Sequence, residues 1–186
     1  MPIVQKENPI LRKKAASVPH KEITGLKIRR LLKTMREALA KEDDGVALAA
    51  PQMGVPVRIF IIADRLPEPK EKDAREEKTP GKSTKEDAWE NIPLVYINPM
   101  ILKLSREKAW MDEGCLSVRP LYGKVSRSKK ATIRAYDENG LPFERGASGL
   151  LAQIFQHETD HLDGVLFIDK AKDVQEIPPP EKKGGS

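Results

Sequence analysis

Cysteine is nearly missing from this chain of 186 residues: there is one, beside three histidines, and aromatic residues make up 5%. A lone cysteine cannot form a disulfide within the chain, so a small disulfide-held scaffold is excluded. A structural zinc finger is excluded as well, because the cysteine ligands are too few. Long hydrophobic runs are missing too. No apolar stretch approaches the roughly 20 residues of a membrane span. The opening MPIVQKENPILRKKAASVPH holds no apolar core of a secretory signal. These absences predict a soluble cytosolic protein with no membrane partner. Neither sign of charge dominates: 33 Lys and Arg stand against 28 Asp and Glu, a net charge of +5. That surplus weakly favours an acidic partner such as a ribosomal surface, and no direct sequence-specific nucleic-acid contact is expected. The length suits one domain with a real core rather than two.

Within that length, residues 22–42 read as a helix, because Ile28, Leu31, Leu32, Met35 and Leu39 recur at three- and four-residue spacing. Asp43-Asp44-Gly45 ends it. The β-branched run 55–62 reads as a strand, and strands resume at 94–98, near 100–110 and at 131–137. Asp137-Glu138-Asn139-Gly140 makes a turn, with Asn-Gly as the hairpin dipeptide. The stretch 64–92 mixes both charges with Pro67, Pro69 and Pro80, and reads as an exposed surface loop. A single catalytic domain is expected over residues 1–170, followed by a tail at 171–186 whose end, IPPPEKKGGS, reads as disordered.

Residues 149–162 read as a second helix, and it carries His157-Glu158-Thr159-Asp160-His161. This is an H-E-x-x-H pattern: residues i and i+4 share a helix face, so both imidazoles can reach one metal ion. Glu158, one step round, can act as general base on a water. Leu150, Ile154, His157 and His161 form one stripe, and Leu151, Phe155, Glu158 and Leu162 the adjacent one. The motif therefore lies on the apolar, inward side. The bland alternative is a buried histidine pair satisfied by hydrogen bonds, but burying two imidazoles and a carboxylate without partners is unfavourable.

A catalytic zinc-type site usually has three protein ligands and an open position. The metzincin pattern places a third histidine where this chain has Phe167. Glu176 lies in a polar segment with no helical face to aim it. Cys115, in Glu113-Gly114-Cys115-Leu116-Ser117, is the remaining soft ligand, and Gly114 lets another backbone approach. Alone, a free cysteine is more often a small buried hydrophobe; beside an incomplete two-histidine site the balance reverses.

Three segments, Gly45-Val46-Ala47-Leu48-Ala49-Ala50-Pro51-Gln52, Glu113-Gly114-Cys115-Leu116-Ser117 and Gln156-His157-Glu158-Thr159-Asp160-His161-Leu162, occur in this order. Together they resemble the three signature motifs of peptide deformylases. Asn8-Pro9-Ile10-Leu11-Arg12 is similar to the family's D-P-x-L-R start, with Asn for Asp, and Gly164-Val165-Leu166-Phe167 to the stretch after its last histidine. The resemblance implies hydrolysis of the formyl group from formyl-methionyl nascent peptides in a bacterial-type cytoplasm. It implies Cys115, His157 and His161 as metal ligands. The implied metal is Fe2+, with Ni2+, Co2+ or Zn2+ as substitutes. It implies Glu158 as general acid and base, and the Gln52 amide and Leu116 N–H as oxyanion donors. The family adds its substrate as a strand near Val46, Ala47 and Gly114. Ala47 departs from the family's second glycine, and its methyl is expected to narrow the cleft or shift the peptide.

An unbranched apolar pocket for the methionine side chain is expected from Val46, Met111, Leu150 and Ile154, each of which also reads as a plain core residue. Asp160 reads either as a partner of a basic residue such as Arg127 or as an exposed helix carboxylate. The fold expected is α+β, with mixed or antiparallel sheets packed around a central H-E-x-x-H helix. Two rivals stand beside this reading: a zinc-type metallopeptidase, which has no need of Cys115, and a catalytically silent deformylase-like binding protein.

Overall fold

The computed structural model describes residues 2–64 and 94–177. The charged stretch 64–92 lies outside the described residues apart from Asp64, as does the end of the tail beyond Ile177. Among the described residues there are two α-helices, α1 (Leu26–Leu39) and α2 (Gly149–Leu162). The strands are β1 (Ala47–Ala49), β2 (Ile59–Ile62), β3 (Val95–Leu104), β4 (Lys108–Gly114), β5 (Leu121–Ser128), β6 (Lys130–Tyr136), β7 (Pro142–Ser148) and β8 (Lys172–Glu176). They form a five-stranded sheet in the order β1-β2-β3-β6-β7 and a three-stranded sheet in the order β4-β5-β8. Every pairing between these strands is antiparallel.

The period-two alternation of strand side chains divides the core into two layers. On one face of the large sheet Leu48, Ile59, Ile61, Val95 and Ile97 pack against Ile28, Leu32, Met35 and Leu39 of α1. On the other, Ala47, Ala49, Phe60, Ile62 and Tyr96 pack against Leu151, Ala152, Ile154, Phe155 and Leu162 of α2. Phe60 and Tyr96 are cross-strand partners, and their rings stack with centroids 4.5 Å apart beneath α2. Burial on both faces explains why β2 reads as unbroken Ile-Phe-Ile-Ile rather than as an alternating strand.

α1 begins at Leu26 rather than near residue 22, because Gly25 is its N-cap and His20–Glu22 form a separate turn. α2 spans the expected residues and stops in a glycine-terminated cap: Val165 N–H donates to the Asp160 carbonyl at 2.9 Å, and Gly164 has φ +77°. A Cβ on Gly164 would also lie 2.7 Å from the Arg12 carbonyl oxygen. The N-terminal segment thus passes directly under the end of the helix, where Ala15 N–H donates to the Leu162 carbonyl at 2.8 Å. Asn8 keeps a capping role: its side chain accepts from Ile10 N–H at 3.0 Å and starts the turn Pro9–Arg12.

Residues 172–176, read as the start of a tail, form β8 on the edge of β5. The sequence of β8 is Lys-Asp-Val-Gln-Glu and all five residues are exposed. Its strand conformation comes from the ladder with β5, not from any apolar pattern.

Candidate metal centre and active site

α2 turns His157, Glu158 and His161 toward the interior, and the segment after β4 brings Cys115 to meet them. His161 Nε2 lies 3.1 Å from Cys115 Sγ. One ligand atom from each of Cys115, His157 and His161 falls within 4.8 Å of the other two. Neither rival third ligand joins this cluster. Phe167 is a buried apolar neighbour that shares a core cluster with Cys115 and stacks its ring beside His157, and Glu176 is exposed on β8. Gly114 makes room for an aromatic ring rather than for another backbone: a Cβ there would lie 2.4 Å from the Tyr122 ring.

Glu113 is the site residue that sequence reasoning missed. Its carboxylate accepts from His157 Nδ1 at 2.9 Å and from Arg127 Nε and Nη2 at 2.7 and 2.9 Å. Arg127 Nη1 continues to Asp160 Oδ2 at 2.6 Å, and Asp160 accepts from Lys170 Nζ at 2.7 and 2.8 Å. Asp160 is therefore Arg127's partner and not an isolated surface carboxylate. Burial opposes charge on Glu113, but the hydrogen bonds from His157 and Arg127 outweigh it and hold the carboxyl down at about 2. The contact fixes the tautomer and ring plane of His157 and leaves Nε2 for the cluster. The available signal was chemical: a ligating histidine commonly gives its second N–H to a carboxylate, and Glu113 sits two residues before Cys115.

Burial lowers the proton affinity of both histidines, but the outcomes differ. Hydrogen bonds that the ring donates to Cys115 and Glu113 reverse the effect at His157 and raise its pKa well above the ordinary value. At His161 burial and the neighbouring His157 act together, and its pKa falls well below the ordinary value. Burial pushes Glu158 up to about 7. Its Oε2 is buried with no hydrogen-bond partner among the described residues, although Glu158 borders the cleft. A thiol, two imidazoles and an unpartnered carboxylate buried together are costly unless something compensates them. This donor set fits a divalent ion of the borderline-soft kind, which takes sulfur and imidazole nitrogen.

Gln52 completes the floor. Its Oε1 accepts from Ala49 N–H at 2.8 Å, and its Nε2 lies 3.1 Å from Ser117 Oγ and 3.5 Å from Cys115 Sγ. A cleft of about 250 Å3 opens above the cluster. Val46, Ala47, Gly114, Leu116, Leu150 and Ile154 all border it. Met111 does not. It pairs with Val125, and Asp112, Glu113 and Gly114 form the β4 part of the wall instead. Ala47 is also part of the core cluster around α2, so its methyl packs against the protein interior. At the mouth, Arg119 is ion-paired with Glu42 and Asp44, a bridge that no motif announced.

A family model described as polypeptide deformylase matches residues 1–176. A peptide deformylase of Pseudothermotoga lettingae is 39% identical over 162 residues, covering 87% of this chain and 77% of the relative. One of Syntrophomonas wolfei is 39% identical over 169 residues, covering 91% of each. The Met-Ala-Ser-bound crystal structure of a class I type b peptide deformylase from Acinetobacter baumannii is 32% identical, with a TM-score of 0.75 over 91% of this chain and 97% of that one. Among the described residues no helix is long and apolar enough to cross a membrane. Sequence relatives and solved structures converge on one assignment: this chain belongs to the peptide deformylase family, and it is a metal-dependent hydrolase that removes the N-formyl group from newly made polypeptides.

Proposed function

We propose that Cys115, His157 and His161 hold a single divalent ion, natively Fe2+, which Ni2+, Co2+ or Zn2+ can replace. The supporting observation is the meeting of three ligand atoms within 4.8 Å of one another beside the buried, unpartnered Glu158 carboxylate oxygen. Such an ion supplies Lewis acidity and brings the pKa of a bound water from 15.7 toward about 7.

The protein's own groups do the rest. Glu158 takes the proton of the attacking water and delivers it to the leaving amine. A carboxyl that burial raises to about 7 suits both transfers, because a base works best with a pKa near the working pH. Negative charge develops on the formyl oxygen, and the Gln52 amide and the Leu116 N–H donate to it. Glu113 holds His157 in place. The substrate lies as an added strand along β1, whose only strand partner among the described residues is β2, with Val46 and Ala47 on one side and Gly114 on the other. Leu150 and Ile154 offer apolar surface to the methionine side chain. We place the reaction in a bacterial-type cytoplasm, on formyl-methionyl chains emerging from the ribosome, and the net charge of +5 suits proximity to that acidic surface.

The test is formate release from formyl-Met-Ala-Ser by anaerobically purified, Fe2+-loaded protein alongside Glu158→Ala. Release by the parent, with a loss of roughly 10²–10⁴ in the variant, is expected. Equal release by folded, metal-loaded Glu158→Ala would remove Glu158 from its role. No release by the loaded parent would favour the silent binding protein.

A further inference from the structure

The Gln52 side chain is held at both ends, by Ala49 N–H at Oε1 and by Ser117 Oγ at Nε2. A backbone N–H can be met only by an oxygen, so the 2.8 Å contact with Ala49 N–H fixes which end of the amide is Oε1. Nε2 must then face the metal cluster, with two hydrogens to place. Ser117 Oγ lies 3.1 Å from that nitrogen, and both residues are buried, Ser117 at 0% and Gln52 at 2% exposure. One N–H is thereby spent on a fixed acceptor. The other points to Cys115 Sγ, a weak acceptor to which Nε2 donates at 3.5 Å, at the floor of the cleft.

From this we infer that Ser117 is a positioning residue for deformylation: its hydroxyl oxygen anchors one hydrogen of the Gln52 amide and so aims the other at the formyl oxygen. The inference rests on Gln52 being an oxyanion donor. Without Ser117 the amide would keep only Oε1 and the long contact with Cys115 Sγ, and its terminal torsion, broad for glutamine, would be freer. Preorganised donors stabilise developing charge because they need no reorientation as the reaction proceeds. Ser117 does so without touching substrate, and its loss should lower kcat while leaving KM unchanged.

The test is a double-mutant cycle on the metal-loaded protein with Ser117→Ala, Gln52→Ala and the pair, repeated with Ser117→Gly. Metal content and the visible spectrum of the Co2+-loaded forms are followed alongside formate release. Ser117→Ala and Ser117→Gly should each lower kcat about tenfold, less than the roughly 10²–10³ expected when a whole donor is removed. KM, metal content and spectrum should stay as in the parent. In the Gln52→Ala background, loss of the hydroxyl should change kcat by less than about twofold, because residues acting through one another are not additive. A further tenfold fall in that background, an altered cobalt spectrum or an unchanged kcat in the single variants would overturn the role of Ser117. Gln52→Ala with undiminished kcat would instead overturn the oxyanion reading of Gln52, and this inference with it.

Discussion

α1 and α2 are each 14 residues long and lie on opposite faces of the same sheet, yet they bury different things. The buried residues of α1 are Ile28, Leu32, Met35 and Leu39, all apolar. α2 buries five apolar residues together with Gln156, Glu158 and His161. Gln156 is satisfied by Ser128, its N–H and carbonyl both at 3.0 Å, whereas Glu158 Oε2 and His161 Nδ1 have no partner among the described residues. One helix is built for packing. The other gives up part of its packing to keep polar groups in a dry place, where charge interactions are strong and unmet groups are costly. Stability and chemistry are thus divided between the two faces of one sheet.

Substitutions on α2 and α1 should separate along that division. Glu158→Ala should show the largest effect, a rate loss of roughly 10²–10⁴ without loss of stability, because it deletes a buried acceptor that lacks a partner. Thermal unfolding of the metal-free forms checks the second half, and a marked fall in Tm would blur the division. Glu113→Gln should cost about 3–5 kcal/mol, since it takes the bidentate Glu113 carboxylate from the buried Arg127 and leaves it only Asp160. The pH dependence has a definite sign. The folded pKa of about 2 is below the ordinary value of 4.5, so the stabilisation is complete above 4.5 and disappears as pH falls toward 2. Urea unfolding of metal-free parent and variant should therefore differ strongly at pH 7 and converge toward pH 2. On α1, Leu32→Ala should cost about 2–5 kcal/mol in urea unfolding. At temperatures where the variant stays folded, kcat should match the parent, and a parallel loss of kcat would tie α1 to the chemistry. Lys33→Ala should change stability least, by no more than about 0.5 kcal/mol in the same measurement. Its contact with Glu37 spans 3.9 Å between exposed side chains one helical turn apart.

How far the sequence exposes these features follows from where the determining forces act. α2 was legible to its bounds, because apolar periodicity and the H-E-x-x-H pattern coincide on one helix. β5 and β7 were not assigned at all: Leu-Tyr-Gly-Lys-Val-Ser-Arg-Ser and Pro-Phe-Glu-Arg-Gly-Ala-Ser carry little apolar alternation, and their conformation is set by the strands beside them. At the site, the motifs named the residues that the structure gathers at the cluster and the cleft, Cys115, His157, His161, Glu158 and Gln52, while the residue holding His157 was not legible. Glu113 contacts Arg127 and His157 across 14 and 44 positions, and no local pattern reports such a distance. Met111 failed for a related reason. Its apolar character fits a methionine pocket, but which part of β4 borders the cleft is decided by the register with β5.

The central claim is that a thiolate from one element and two imidazoles from another hold one ion. Its most direct test is the absorption spectrum of Co2+-loaded protein with metal stoichiometry measured in parallel. The parent should bind one Co2+ per chain and show thiolate-to-cobalt charge-transfer absorption, which Cys115→Ser should abolish. A charge-transfer band that survives in Cys115→Ser, or one bound Co2+ in the parent without the band, would contradict the assignment of Cys115, His157 and His161 as the metal centre.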